Sequence, residues 1–154
     1  MPSLALGRFL SFKAKRYRSG PPHTNKSKTK DYLDCMIASP TNGVLDFVLV
    51  LPSTGKVIGK AGIWETGTYE IGFMLNHSYW GQGYMADALQ RLLPHIWQQG
   101  VESMIADVDP RNKASIGLLE RFGFEEYERV ERTIKTHLGW CDSVYLLLER
   151  PREN

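Results

Sequence analysis

The spacing of apolar residues changes in kind near residue 84. Between residues 44 and 75 they come in short β-branched and aromatic runs, VLDFVLVL (44–51), KVIGKAGIW (56–64) and YEIGFML (69–75), separated by PSTG and TGT turn signals. Connections this short join antiparallel neighbours, because a parallel crossover takes about a dozen residues or more. The pattern predicts an antiparallel meander. Beyond residue 84 the period lengthens, and Met85, Ala88, Leu89, Leu92, Leu93 and Ile96 share one broad helical face. Pro94 lies inside that pattern, where it is expected to kink or shorten the helix at about 3 kcal/mol if uncompensated.

The flanks complete the outline. Turn-rich SGPPHTN (19–25) precedes KSKTKDYLDCMIAS, in which Tyr32, Leu33, Met36 and Ile37 recur at helical spacing, and SPTNG (39–43) ends that short helix. SMIADV (103–108) is a buried-strand candidate. NKASIGLLERFGF follows as a helix, with Asn112 as cap or first-turn residue and Gly123 as a left-handed stop. FEEYERVERTIK and SVYLLLER then predict a closing hairpin joined by THLGWCD. The fold class is therefore α/β, a mixed sheet with an antiparallel first half and flanking helices. Strands 69–75 and 103–108, joined through a helix, are expected to be parallel and adjacent. With 154 residues and no repeat, linker or low-complexity tract, 1–154 reads as a single domain.

Composition changes this outline little. A net charge of +2 gives no global case for nucleic acid, and the basic run from Lys13 to Lys30 reads as a solvated face. Cys35 and Cys141 stand far apart without partners at metal-ligand spacing, so reduced, packed thiols are expected and no metal. No apolar run approaches the length of a membrane span, and MPSLALGRFLSFKAK carries its charges after its apolar part, the reverse of a secretory signal. A cytoplasmic protein is the expectation.

The chemistry concentrates in EIGFMLNHSYWGQGYMADALQRLL (70–93), where a strand gives way to a helix through Gly81 and Gly83. GQGYMA fits the letters of a dinucleotide fingerprint, with Asp107 as an acid at the end of the next strand. That fingerprint opens a doubly wound parallel sheet, however, and the meander upstream is antiparallel. The Walker pattern is absent, since no Gly-Lys-Ser/Thr follows the turn. What survives is a helix N-terminus whose N–H groups and dipole favour an anion, with glycines that let a phosphate approach. A pyrophosphate is the natural guest.

EIGFML…WGQGYMADAL, followed by DPRNKASIGLLERFGF, resembles the GNAT N-acetyltransferase superfamily, specifically its RimJ/RimL-like branch. DFVLVLPSTGKVIGKAGIW and GWCDSVYLLLERP look like the same branch, so the likeness covers roughly residues 17–150. The segment before residue 17 is atypical and reads as a shortened N-terminus. The resemblance implies that the anion is the pyrophosphate of acetyl-CoA, held by backbone amides of Trp80, Gly81, Gln82, Gly83, Tyr84 and Met85. It implies too that the strand ending at Met74 and Leu75 pairs with the pantetheine arm, in a gap where the central parallel strands splay. Ser78 stands where the family's loop usually has Gln or Arg.

Acetyl transfer needs a deprotonated amine, donors for the thioester oxygen and a proton for the leaving thiolate. By resemblance, Glu70 is the carboxylate base, with Glu65 as the second candidate. Asn112 would contact the pantetheine arm and Ser115 would lie near the thiol, three residues on and on the same helix face. Leu119 occupies the place where some relatives carry an acidic tyrosine. His137, Trp140 and Asp142, in the expected hairpin connection, would lie beside the acceptor, and His77 and Trp80 would wedge the loop. The implied acceptor is a primary amine, on a small molecule or a peptide N-terminus, with no nucleic acid or membrane partner and a possible homodimer. The rivals are a non-catalytic acyl-CoA-binding module on the same fold and a NAD-type oxidoreductase.

Overall fold

The computed structural model describes residues 24–38, 45–65, 67–137 and 139–152, without the side chains of Tyr32, Leu33 and residues 35–38. Helix α1 (Lys26–Ala38) opens on Asn25, whose side-chain oxygen accepts the Lys28 N–H at 2.9 Å. The apolar stripe predicted for this helix, most of SGPPHTN and all of SPTNG lie outside the described residues. Strands β1 (Leu45–Leu51), β2 (Lys56–Glu65) and β3 (Tyr69–Leu75) form the meander. A single 3₁₀ turn (His77–Tyr79) leads into α2 (Tyr84–Gln98), and β4 (Ser103–Val108), α3 (Lys113–Arg121), β5 (Glu125–Thr136) and β6 (Gly139–Glu149) complete the chain.

The six strands form one sheet in the order β1-β2-β3-β4-β6-β5. Every neighbouring pair is antiparallel except β3–β4, which is parallel, as the helical crossover requires. Alternation along the strands sends Ile63, Ile71, Met104, Ala106, Val144 and Leu146 to one face. There they meet Leu89, Leu92, Leu93 and Ile96 of α2 and Ile116 and Leu119 of α3, so both helices cover the same side. Burying each of the larger of these side chains contributes about 1.5–3 kcal/mol.

Two expectations need correction. Of the kink or shortening expected at Pro94, the shortening does not occur, since helix α2 runs on to Gln98. Pro94 is exposed, and so is Gln90, whose carbonyl loses its donor and is left to solvent. The closing hairpin is also tighter than THLGWCD suggests, for Thr136 pairs with Gly139, Lys135 with Trp140 and Ile134 with Cys141. Gly139 takes φ 101°, which lets the chain reverse at once and brings Trp140, Cys141 and Asp142 inside β6. Asp142 therefore does not precede the strand; from within it, its Oδ1 accepts the Arg132 N–H at 2.9 Å.

Candidate functional site

Strand β3 is fully paired on one side and barely paired on the other. Tyr69 through Leu75 each face a residue of β2, whereas the pairing with β4 is confined to Glu70 and Ile105. Past that point the strands part, and a cleft of about 1030 Å³ opens between β3, the glycine turn, α3 and β6. The Asn76 N–H donates to the Ile58 carbonyl at 2.8 Å, which fixes the alternation along β3. Glu70, Gly72 and Met74 turn their backbone groups to β2, and Ile71, Phe73 and Leu75 turn theirs toward β4 and the cleft. The Leu75 N–H therefore faces the cleft, while Met74 lines the cleft without offering its main chain.

On the cleft face Trp64 lies across Gly72. A Cβ on Gly72 would come within 2.3 Å of the indole, so only glycine admits the ring. At the upper end, Trp80 Nε1 donates to the Leu75 carbonyl at 2.9 Å and ties the turn to the end of β3. Gly81 and Gly83 take φ 70° and 84°, values that L side chains rarely adopt. Gly83 is the N-cap of α2 and supplies no side-chain acceptor, and the first helical bond runs from Asp87 N to Gly83 O. Among the described residues, nothing accepts the N–H groups of Tyr84, Met85 and Ala86, and Gly81, Gly83 and all three line the cleft. A Cβ at either glycine would meet nothing within 4 Å, so the approach to these N–H groups is open.

The opposite wall is the first turn of α3. Asn112 Oδ1 accepts the Ser115 N–H at 3.3 Å, so Asn112 caps the helix as its residue type predicts. Lys113, Ser115 and Arg121 line the cleft from this helix. Before it, Arg111 forks onto Asp109 with bonds of 2.9 and 2.6 Å. Burial raises the Asp109 carboxyl, but these hydrogen bonds outweigh it and hold the group below its ordinary range. Arg111 Nη2 also lies 2.9 Å from Cys141 Sγ, whose thiol is free and buried.

Glu70, Ser115, Met74, Leu75, Trp80, Gly81, Gly83, Tyr84, Met85 and Asn112 all line this one cleft. Gln82 does not, since its side chain donates to the Ser78 carbonyl at 3.0 Å, alongside the turn. Glu65 is exposed at the end of β2 and lies outside the cleft, as do His77, His137 and Trp140. Sequence reasoning missed Trp64, Phe73, Lys113 and Arg121, and it met Asp107 only as part of a rejected fingerprint. Asp107 shares the cleft face with Glu70, two residues beyond Ile105, and alternation along SMIADV carried that signal. Burial pushes its carboxyl above the ordinary aspartate range, and the neighbouring Ser143 hydroxyl opposes that rise. Among the described residues, no cluster of three or more His, Cys, Asp or Glu side chains could hold a metal. No described helix is long and apolar enough to cross a membrane.

A mixed sheet is split between two parallel strands, and an open helix N-terminus stands above the split. Residues 4–125 match the model of the acetyltransferase (GNAT) domain family, and the chain belongs to that family. The match begins well ahead of residue 17 and takes in the N-terminal segment that shows no motif. An uncharacterized N-acetyltransferase, p20, of Bacillus licheniformis is 28% identical over 144 residues, covering 90% of this chain and 80% of that protein. Among solved structures, a GNAT-family acetyltransferase from Bacillus anthracis superposes with a TM-score of 0.82 at 18% identity, covering 96% and 88% of the two chains. Spermidine N-acetyltransferase from Vibrio cholerae, in complex with CoA and spermine, superposes at 0.79 with 15% identity over 93% and 86%. These structural likenesses support the fold.

Proposed function

We propose that the chain is an acetyl-CoA-dependent N-acetyltransferase of the RimJ/RimL-like branch, acting as a single domain on a primary amine of a small molecule or a peptide N-terminus. One observation carries this reading: the split edge of β3 and the unclaimed N–H groups of Tyr84, Met85 and Ala86 open into the same cleft. The pyrophosphate fits the helix N-terminus, where the dipole and several N–H groups act on it together. The pantetheine arm fits the β3 edge at Leu75, whose N–H faces the cleft, as an added strand would. Lys113 and Arg121 supply positive charge on the facing wall. The free thiol of Cys141 agrees with a reducing compartment, and we place the protein in the cytoplasm.

Acetyl-CoA supplies an activated thioester. The chain holds amine and thioester side by side, and that placement alone can account for about 7–11 kcal/mol of a barrier where geometry is optimal. A carboxylate on the cleft face takes the proton of the arriving ammonium, and Glu70 is the one expected from the family pattern. The amine nitrogen then attacks the carbonyl carbon, the C–S bond breaks, and the thiolate leaves beside Ser115, whose hydroxyl orients it by donating a hydrogen bond. Calorimetric titration of the purified protein with acetyl-CoA, with NADH as control, tests the guest, and release of free thiol in the presence of amines tests the transfer. Binding of acetyl-CoA alone and amine-dependent thiol release are expected. Absence of acetyl-CoA binding would overturn the reading, and binding without release from any amine would reduce the protein to an acyl-CoA-binding module.

A further inference from the structure

The split in the sheet has a closed end. Strands β3 and β4 meet at Glu70 and Ile105, so a guest running from Leu75 toward Glu70 cannot continue past that pair in the plane of the sheet. Whatever the guest carries at its tip must turn out to one face. The face toward α2 and α3 is filled, for Ile71 and Ala106 are buried there among the core side chains. The turn is therefore to the other face, where Trp64, Glu70, Gly72 and Asp107 line the cleft.

Two glycines decide what stands on that face. Gly62 of β2 and Gly72 of β3 lie directly opposite each other, and neither has room for a side chain. A Cβ on Gly62 would lie 2.2 Å from the Leu45 carbonyl oxygen and 2.9 Å from Asp46 Oδ1. A Cβ on Gly72 would lie 2.3 Å from Cη2 of Trp64, with Cζ2 and Cζ3 at 3.1 and 3.2 Å. The contact is thus with the outer edge of the six-membered ring. Trp64 itself stands opposite Glu70, so its ring reaches along β3 from the closed end of the split to the next residue on the same face. Lys60, paired with Asp46, holds its ammonium 6.0 Å from the centroid of the Trp64 ring, where cation and π-face attract. The indole is therefore seated low on bare backbone, on the ground over which the tip of the guest must turn.

We propose that Trp64 determines which acyl group the donor can carry: its indole walls the acyl end of the cleft and restricts the transferred group to acetyl, excluding longer acyl chains. This rests on the acetyltransferase reading given above and concerns which acyl-CoA serves it. The acyl carbonyl at the closed end of the split must stay open to the amine on this same face, so acyl tail and amine share one mouth. An acetyl methyl stops at the ring and gains apolar contact from it. A butyryl or hexanoyl chain runs into the ring, and it must displace the indole from Gly72 or take the place of the amine. Each methylene that finds apolar cover adds about fourfold in affinity, and one left in solvent adds nothing, so the wall selects by length.

The test is calorimetric titration of the purified protein with acetyl-CoA, butyryl-CoA and hexanoyl-CoA, which reads the preference without requiring turnover. The wild type is expected to bind acetyl-CoA more tightly than hexanoyl-CoA by about tenfold or more. Trp64→Ala should raise the affinity for hexanoyl-CoA relative to acetyl-CoA by about tenfold, since the space left by the ring covers the added methylenes. Trp64→Leu keeps apolar cover over Gly72, serves if the alanine variant does not fold, and should shift the same ratio by less. Trp64→Phe keeps an aromatic wall and should retain the wild-type order, with butyryl-CoA intermediate throughout. A wild type that binds hexanoyl-CoA within about threefold of acetyl-CoA overturns this inference alone, as does a ratio that neither Trp64→Ala nor Trp64→Leu moves by threefold. A wild type that binds none of the three overturns the acetyltransferase reading itself.

Discussion

The two edges of β3 have opposite fates. Toward β2 the ladder is complete, from Tyr69 opposite Glu65 to Leu75 opposite Gly59; toward β4 it closes at Glu70 and Ile105 and goes no further. Split strands forgo ladder bonds, and isolated sheet edges are liabilities. The sheet tolerates the split because its stability lies beneath it: Ile63 and Ile71 on one side and Met104, Val144 and Leu146 on the other belong to one core under α2 and α3. The split is thus a feature of the upper end of the sheet and does not divide the domain. The largest effects should show this. Ile63→Ala and Leu146→Ala, one in each half, should each cost about 2–5 kcal/mol, and each variant should unfold in one denaturant transition seen alike by tryptophan fluorescence and circular dichroism. Two separate transitions would break the comparison, because the halves would then be independent units.

The second effect addresses what the open edge is for. Gly83→Asp places a carboxylate at the N-terminus of α2 where a phosphate is expected, and acetyl-CoA affinity should fall at least 100-fold, about 2.7 kcal/mol. Asparagine at the same position carries nearly the same shape and tolerates left-handed backbone, so Gly83→Asn should lose much less. Equal losses by calorimetry in the two variants would mean that strain at φ 84°, and not charge, governs the turn.

Much of this was legible in the sequence where a local pattern determines a local structure. The spacing of VLDFVLVL, KVIGKAGIW and YEIGFML gave the antiparallel meander, and the helix-bearing link from residue 75 to 103 gave the parallel pair. The glycine turn and Asn112 were readable because few residues suit a left-handed N-cap or a side-chain cap. The hairpin connection was misjudged because Trp140 and Cys141 stand between Gly139 and Asp142, residues that look like loop until the ladder with β5 is seen. Trp64, Lys113 and Arg121 belong to the cleft only through the relative placement of elements distant in sequence. The bulge at Arg132, where the register of β5 against β6 breaks, was hidden for a further reason: its partner, the Asp142 carboxylate, lies ten residues away on another strand.

A smaller effect is expected at the hinge of the turn. Trp80→Phe keeps an aromatic ring but removes the Nε1 donor to the Leu75 carbonyl, a bond of the kind that contributes about 0.5–1.5 kcal/mol. If that bond holds the turn against β3, acetyl-CoA affinity should fall about three- to tenfold, with little change in melting temperature. An unchanged affinity would mean that the glycines alone shape the turn.

The smallest effect compares Asp107 with Asp109, two carboxylates of opposite disposition just two residues apart. Asp107 holds its proton more tightly in the folded protein than an ordinary aspartate does, so ionising it works against the fold. Its contribution is most favourable below the ordinary aspartate range and declines as pH rises through its raised value. Asp107→Asn should therefore melt at the same temperature as the wild type or slightly higher at pH 7, with the difference closing in acid. Asp109, held ionised by Arg111, has the reverse sign. Its stabilisation is present above the ordinary range and lost as pH falls through its lowered value, so Asp109→Asn should melt lower at pH 7 and converge on the wild type in acid. Thermal unfolding of both variants across pH 3–7 measures the two signs directly. A loss of stability in Asp107→Asn at pH 7 would mean that Asp107 supports the fold in its ionised form.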